Sequence, residues 1–159
     1  MIKITVIAVG KLKEKYLEDA YSEYSKRLKG YCNLQIIELS PARADEGSAA
    51  SISAAIEDEG ARILAKIPQK SLVIPMCIEG KELSSEELAA VIKNAPLDAF
   101  SELTFIIGGS YGLSDKVKAQ GKIRLSMSKM TFPHQIARIM LLEQIYRGFK
   151  INEGGSYHK

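Results

Sequence analysis

At 159 residues the chain has the length of about one domain, and a chain of this size can bury about 70% of its surface. Hydrophobic residues at 46% and charged residues at 26% are globular averages, which exclude disordered, collagen-like and coiled-coil classes. Twenty-two Lys and Arg against 19 Asp and Glu leave a formal charge of +3, which admits an anionic partner without requiring one. Cys32 and Cys77 lie far apart with no Cys-x-x-Cys spacing, so neither a disulfide scaffold nor a zinc ribbon is indicated, and a reducing, cytoplasmic setting is expected. The opening Met1 to Gly10 lacks the features of a secretory signal, and no apolar run approaches the ~18 residues of a membrane span.

Ile2 to Val9 is β-branched and becomes continuously apolar, the pattern of a buried strand. Tyr16, Ala20, Tyr24 and Leu28 fall four apart, predicting a helix from Glu14 to Leu28 that stops at Gly30. Leu34 to Leu39 reads as a second strand and Pro41 to Gly47 as a polar, mobile connection. Ser48 to Ile67 places Ile52, Ala55, Ile56, Ile63 and Ile67 on one helical face despite Gly60 inside it. Leu72 to Met76 predicts a short strand with Pro75 at its end, because proline offers a ladder no N–H.

Ser84 with Glu87 has capping-box spacing, and Leu88, Val91, Ile92 and Ala95 continue a helix. Leu103 to Ile107 is a fourth strand that runs into Gly108-Gly109-Ser110-Tyr111-Gly112. Ser114 then caps a short helix to about Gln120, with Gly121 as its stop. Ile123 to Met127 is a weaker fifth strand, and Pro133 fits the first turn of a last helix reaching about Lys150. Strands and helices that alternate in this way specify an α/β fold, a parallel-rich sheet covered by helices on both faces.

Ligands of open α/β sheets collect beyond the carboxyl ends of strands. Three turns qualify: Met76 to Gly80, Gly108 to Gly112, and Met127 to Phe132. The glycine turn has neither the closing Gly-Lys-Ser/Thr of a Walker loop nor the Gly-x-Gly-x-x-Gly of a dinucleotide site, which argues against phosphate cradling. Two readings stay open: a tight turn that needs positive φ, or a surface on which backbone groups approach a flat ligand such as an adenine edge. Met127, Met130 and Phe132 likewise suit either a purine site or a plug beneath the last helix.

The last helix is apolar around more of its circumference than one sheet contact needs. Either it is fully covered within the chain or it meets a second copy in a symmetric dimer. Glu143 and Arg147, four apart, read as only a surface ion pair. Residues 152–159 read as a frayed tail, although they carry Tyr157 and His158, groups able to hold or relay a proton near neutral pH. Neither His134 nor His158 belongs to a metal-binding spacing, so no metal is expected.

Ala8-Val9-Gly10, Ile106-Ile107-Gly108-Gly109 with Tyr111-Gly112-Leu113-Ser114, Leu125-Ser126, Phe132-Pro133-His134, Glu143-Gln144-Ile145-Tyr146-Arg147 and the final Tyr157-His158 together form a pattern spanning the chain. With it the sequence resembles the ribosomal large-subunit methyltransferase H family of the SPOUT superfamily, the trefoil-knotted methyltransferases. The resemblance implies one SPOUT domain over residues 1–159, with a C-terminal trefoil knot. It implies methyl transfer from S-adenosylmethionine to N3 of a pseudouridine in 23S ribosomal RNA, by a homodimer that uses neither DNA nor a membrane as partner. Met76, Gly108, Met127, Ser128, Lys129, Met130, Thr131 and Phe132 are then expected to line the cofactor pocket, with Tyr157 and His158 as catalytic residues, His158 as base or orienter. Assembled ribosomes are expected to be better substrates than an isolated stem-loop, since +3 is a weak clamp for RNA. A catalytically silent RNA-binding protein on the same scaffold is the rival reading.

Overall fold

The apolar run Ile2–Val9 forms the strand β1, and helix α1 (Lys15–Leu28) returns the chain to β2 (Cys32–Leu39) beside it, in a computed structural model that describes residues 1–159. There follow α2 (Ala49–Leu64), β3 (Ser71–Glu82), α3 (Ser85–Asn94), β4 (Glu102–Ile107), α4 (Asp115–Ala119), β5 (Leu125–Ser126) and α5 (His134–Asn152). The strands make one sheet in the order β2-β1-β4-β3-β5, and every pairing is parallel. Alternate residues of each strand feed opposite faces. Ile4, Val6, Leu103 and Phe105 join Leu28, Ile92, Leu142 and Ile145 in a core under α1, α3 and α5, while Ile7, Val73 and Ile106 meet Ile63 and Val117 under α2 and α4. No helix is long and apolar enough to cross a membrane.

Three of the helices, α2, α3 and α4, begin where serine satisfies a free amide. Ser84 accepts from Glu87 N–H at 3.0 Å while the Glu87 carboxylate accepts from Ser84 N–H at 2.7 Å, the reciprocal capping box. Ser48 and Ser114 accept from Ser51 and Val117 in the same way. Pro133 stands one position earlier than expected, at the N-cap of α5.

Three expectations are corrected. Pro75 lies inside β3, which runs on to Glu82, so Met76 to Gly80 belongs to a strand and is not a loop. The ring of Pro75 faces Gly121, where a Cβ would collide with it, and pairing with β5 begins only at Met76. The missing N–H therefore points at a turn and costs the ladder no bond. The connection 41–47 is pinned: Ala42 N–H donates to Glu59 at 2.8 Å, Asp45 N–H to Ser51 at 2.8 Å, and Arg62 to the Ser40 carbonyl at 2.7 Å. Finally β5 shrinks to two residues, because the bond from Lys81 N–H to the Arg124 carbonyl, at 2.8 Å, replaces a regular ladder across a register shift.

Candidate active site

The carboxyl-terminal part of β3, the end of β4 and the turn after β5 converge on one cleft of about 370 Å³, within the range of small-molecule sites. Met76 stands at its base, paired with Ile107 of β4 on one side and Leu125 of β5 on the other. Gly108 follows Ile107 directly. The turn beyond it closes with Gly112 N–H on the Gly109 carbonyl at 3.1 Å and Gly112 at φ +84°. A Cβ on Gly108 would stand 2.9 Å from the Gly112 carbonyl carbon and 3.0 Å from Leu113 Cδ2, so only glycine lets the turn fold this tightly against the cleft. The reading as a tight turn that needs positive φ therefore holds, and the turn also lines the cavity.

The third wall is residues 127–132. Ser126 Oγ donates to the Ser128 carbonyl at 3.0 Å and Met130 N–H donates to Ser128 Oγ at 3.0 Å, which curls the segment back on itself. Met127, Ser128, Met130, Thr131 and Phe132 all line the cleft. Lys129 does not: the turn closed on Ser128 leaves its side chain in water. Helical residues beyond these turns also contribute, notably Lys118 of α4 and His134 and Ala137 of α5. The signal for the last two was the three-residue spacing immediately after Phe132, which puts both on one face of the helix that starts there.

Charges around the cleft are fixed by their neighbours. Lys118 Nζ lies 2.5 Å from Glu79 Oε1, and that hydrogen bond holds the Glu79 carboxyl below its ordinary range. Burial pushes the Cys77 thiol up, keeping it protonated. Burial pushes His134 down, helped by the positive charges of Arg138 and Lys13 and opposed by Glu59.

Beside the cleft, the carboxyl ends of β1 and β2 are clamped to α5. Arg138, 1% exposed, donates to Glu38 Oε2 at 2.6 Å and to the Gly10 carbonyl at 2.9 Å. Gly10 sits at φ +100°, a conformation that favours glycine, and the His134 ring packs beside it, with Nε2 3.6 Å from where a Cβ would stand.

Tyr157 and His158 are not at the cleft of their own chain. The tail is docked on α3 and α5. The Tyr157 hydroxyl donates to Glu143 at 3.1 Å, the Arg147 guanidinium lies 4.8 Å from the Tyr157 ring centre, and Tyr146 meets that ring edge-on at 5.0 Å. His158 uses both ring nitrogens, Nδ1 at 3.2 Å from Arg147 and Nε2 at 2.7 Å from Glu86. The Glu143–Arg147 pair, with Nη2 at 2.7 Å and Nε at 3.1 Å from Glu143 Oε1, is thus the seat of the tail and more than a surface bridge.

Parallel sheets whose strand ends and following turns enclose a cleft serve many chemistries, and the family places this one: residues 2–158 match the family model described as "Predicted SPOUT methyltransferase". The ribosomal RNA large subunit methyltransferase H of Clostridium acetobutylicum is 50% identical over 159 residues, covering 99% of this chain and all of the relative. The chain belongs to the ribosomal RNA large subunit methyltransferase H family. Two solved structures share the fold. A probable methylase family protein from Haemophilus influenzae Rd KW20 has a TM-score of 0.57 at 14% identity, covering 100% of this chain and 72% of that one. A ribosomal RNA small subunit methyltransferase E from Neisseria gonorrhoeae, bound to S-adenosyl methionine, has a TM-score of 0.52 at 15% identity, covering 91% and 65%.

Proposed function

We propose that this chain transfers a methyl group from S-adenosylmethionine to N3 of a pseudouridine in 23S ribosomal RNA, acting in the cytoplasm as a homodimer on assembled ribosomal particles. The observation that carries the reading is the convergence of the carboxyl-terminal part of β3 and the turns after β4 and β5 on a single cleft, in a chain that matches large-subunit methyltransferases along its whole length.

The cleft suits the cofactor. Its lining includes Gly108, where a Cβ would collide, with methionine and phenylalanine side chains around it, and its volume matches a small ligand. Met76, Gly108, Met127, Ser128, Met130, Thr131 and Phe132 hold the cofactor, while Lys129 at the rim offers a cation to RNA phosphate. The sulfonium supplies a methyl group that is already activated. The work left to the protein is to align the imide nitrogen with the methyl carbon, to exclude water and to dispose of the N–H proton. The chain between Gly108 and Phe132 is taken to thread as the trefoil of the superfamily.

In the dimer, Tyr157 and His158 of one protomer complete the cleft of the other, orienting the target base. Support comes from their position: they are ordered on α3 and α5, away from the cleft of their own chain, so a contribution to catalysis has to come from a second copy. The reading is tested by incubating labelled S-adenosylmethionine and this protein with ribosomes from a strain lacking it, then mapping the modified base. Label on N3 of a single pseudouridine is expected. Label elsewhere overturns the substrate, and no label overturns the enzyme. An isolated stem-loop should react more slowly than ribosomes, and equal rates would remove the requirement for the particle.

A further inference from the structure

The proton on the imide nitrogen needs an acceptor, and the groups that line the cleft narrow the choice. Glu79 is bound to Lys118 and its carboxylate is a weak base. Cys77 is a protonated thiol. The hydroxyls of Ser110, Tyr111, Ser128 and Thr131 are poor bases near neutral pH. His158, ordered elsewhere, has both ring nitrogens engaged by Arg147 and Glu86.

His134 differs from all of these. It lines the cleft from the first turn of α5, next to Phe132 and one helical turn before Ala137, which also lines it. No protein group hydrogen-bonds to its ring, whose Nε2 edge lies beside Gly10 at the carboxyl end of β1. The ring is held in place without being consumed: Arg138, one turn on, anchors the helix to the Gly10 carbonyl, and Gln135 accepts from Lys13 N–H at 3.1 Å.

We propose that His134 is the group that takes the imide proton of the target base as the methyl group is transferred. The inference rests on the methyltransferase reading above and assigns a residue that the resemblance did not. The step balances. The N–H proton passes to an imidazole nitrogen, the lone pair left on the base nitrogen forms the new N–C bond, and the C–S bond breaks with its electron pair remaining on sulfur. One positive charge is present before and after, on the sulfonium and then on the imidazolium.

The surroundings suit the role. Burial, with the positive charges of Arg138 and Lys13, favours the neutral ring before the reaction, while the negative charge of Glu59, whose Oε1 is buried without a partner, favours the protonated ring that follows. Tyr157 and His158 of the partner then act by positioning the base.

The test compares wild type with His134→Gln and His134→Asn. Single-turnover methylation of ribosomes at pH 7 should fall by about 100-fold or more, the usual contribution of a general base, with the KM values little changed. Rates of both variants should climb about tenfold per pH unit on the alkaline side, where solvent removes the proton, while the wild-type rate flattens above the histidine range. Two readouts need no turnover. Cofactor affinity by calorimetry should stay within about twofold, which also shows that the variants fold. Of only two imidazole signals in the NMR spectrum, the His134 signal should move when the target RNA is added without cofactor. Variants that keep the wild-type rate in the presence of an active wild type overturn the role of His134. A loss that is uniform across pH overturns it as well, marking a structural effect. A wild type that methylates nothing instead overturns the methyltransferase reading on which it stands.

Discussion

Arg138 and Glu38, a hundred residues apart, form the buried link between the last helix and the sheet: 2.6 Å separates Nη1 from Oε2, with the arginine side chain 2% exposed and the glutamate 36%. Removing one member of such a pair leaves an uncompensated charge, which typically costs about 3–5 kcal/mol when both are buried. Glu38 keeps access to water, so Glu38→Gln should cost less, about 2 kcal/mol. The urea midpoint should fall with an unchanged slope, and a loss below about 0.5 kcal/mol would show that the Gly10 carbonyl alone satisfies Arg138.

Gly60 sits in the middle of α2, where alanine would ordinarily gain up to about 1 kcal/mol. Here a Cβ would run into Ser114 Oγ and lie 3.0 Å from Ser114 Cβ, forcing aside the residue that caps α4. Gly60→Ala is therefore expected to destabilise by about 1–3 kcal/mol, the cost of overpacking together with loss of the cap. A rise in thermal midpoint would mean that Ser114 rotates freely.

Gly108→Ala attacks the cofactor site itself. The added methyl meets the Gly112 carbonyl carbon at 2.9 Å, so the glycine turn must open, while the core strand before it is unaffected. Circular dichroism should be native and cofactor affinity by calorimetry should fall at least about tenfold, equivalent to about 1.4 kcal/mol. Unchanged affinity would place the cofactor elsewhere.

What the sequence revealed and what it hid divide by the range of the interaction. Strand β1, the capping box at Ser84 and the Ser114 cap are legible because their causes lie within a few residues. Pro75 was misplaced because what makes it tolerable inside a strand is Gly121, which the chain reaches only after two more helices and a strand. The pinned connection after β2 was hidden for the same reason, since Glu59 reaches back from the next helix to hold Ala42. In the cleft, the two turns after β4 and β5 could be picked out by their place after apolar runs, whereas the third expected turn, Met76 to Gly80, is strand. That Lys129 points to water while Lys118 and His134 contribute depends on how turn and helices seat against one another, which no local pattern records.

His134 also sets a pH dependence of stability. Its folded value lies below the ordinary 6.5, so as pH falls through 6.5 the unfolded chain binds a proton that the folded chain still refuses. Stability is fully present above that range and declines with acidification until the folded value is reached. Glu79 and Glu86, held below the usual carboxylate range, act in a separate window under pH 4.5, where they too lose stability as pH falls. The thermal midpoint of wild type should drop between pH 7 and pH 5.5, and His134→Gln should flatten this limb. An identical slope in the variant would show that the ring is as well hydrated folded as unfolded.

The tail supplies the sharpest test of a shared site. Tyr157 is held by Glu143 and Arg147, and His158 by Arg147 and Glu86, all on the α3–α5 face, none of them lining the cleft of the same chain. If these side chains serve a neighbouring cleft, a chain lacking residues 157–159 still binds cofactor but cannot turn it over, and a Gly108→Ala chain offers an intact tail without a working cleft. Each homodimer should be nearly inactive. Mixed dimers carry one cleft with Gly108 and one complete tail. When the tail works in trans, that cleft receives the tail of the other protomer, so up to about one site per dimer should regain activity. When the tail works in cis, both sites stay defective. Affinity-purified heterodimers carrying two different tags separate these outcomes by methyl transfer to ribosomes, with activity near half that of wild type expected and activity no higher than the homodimers excluding a shared site.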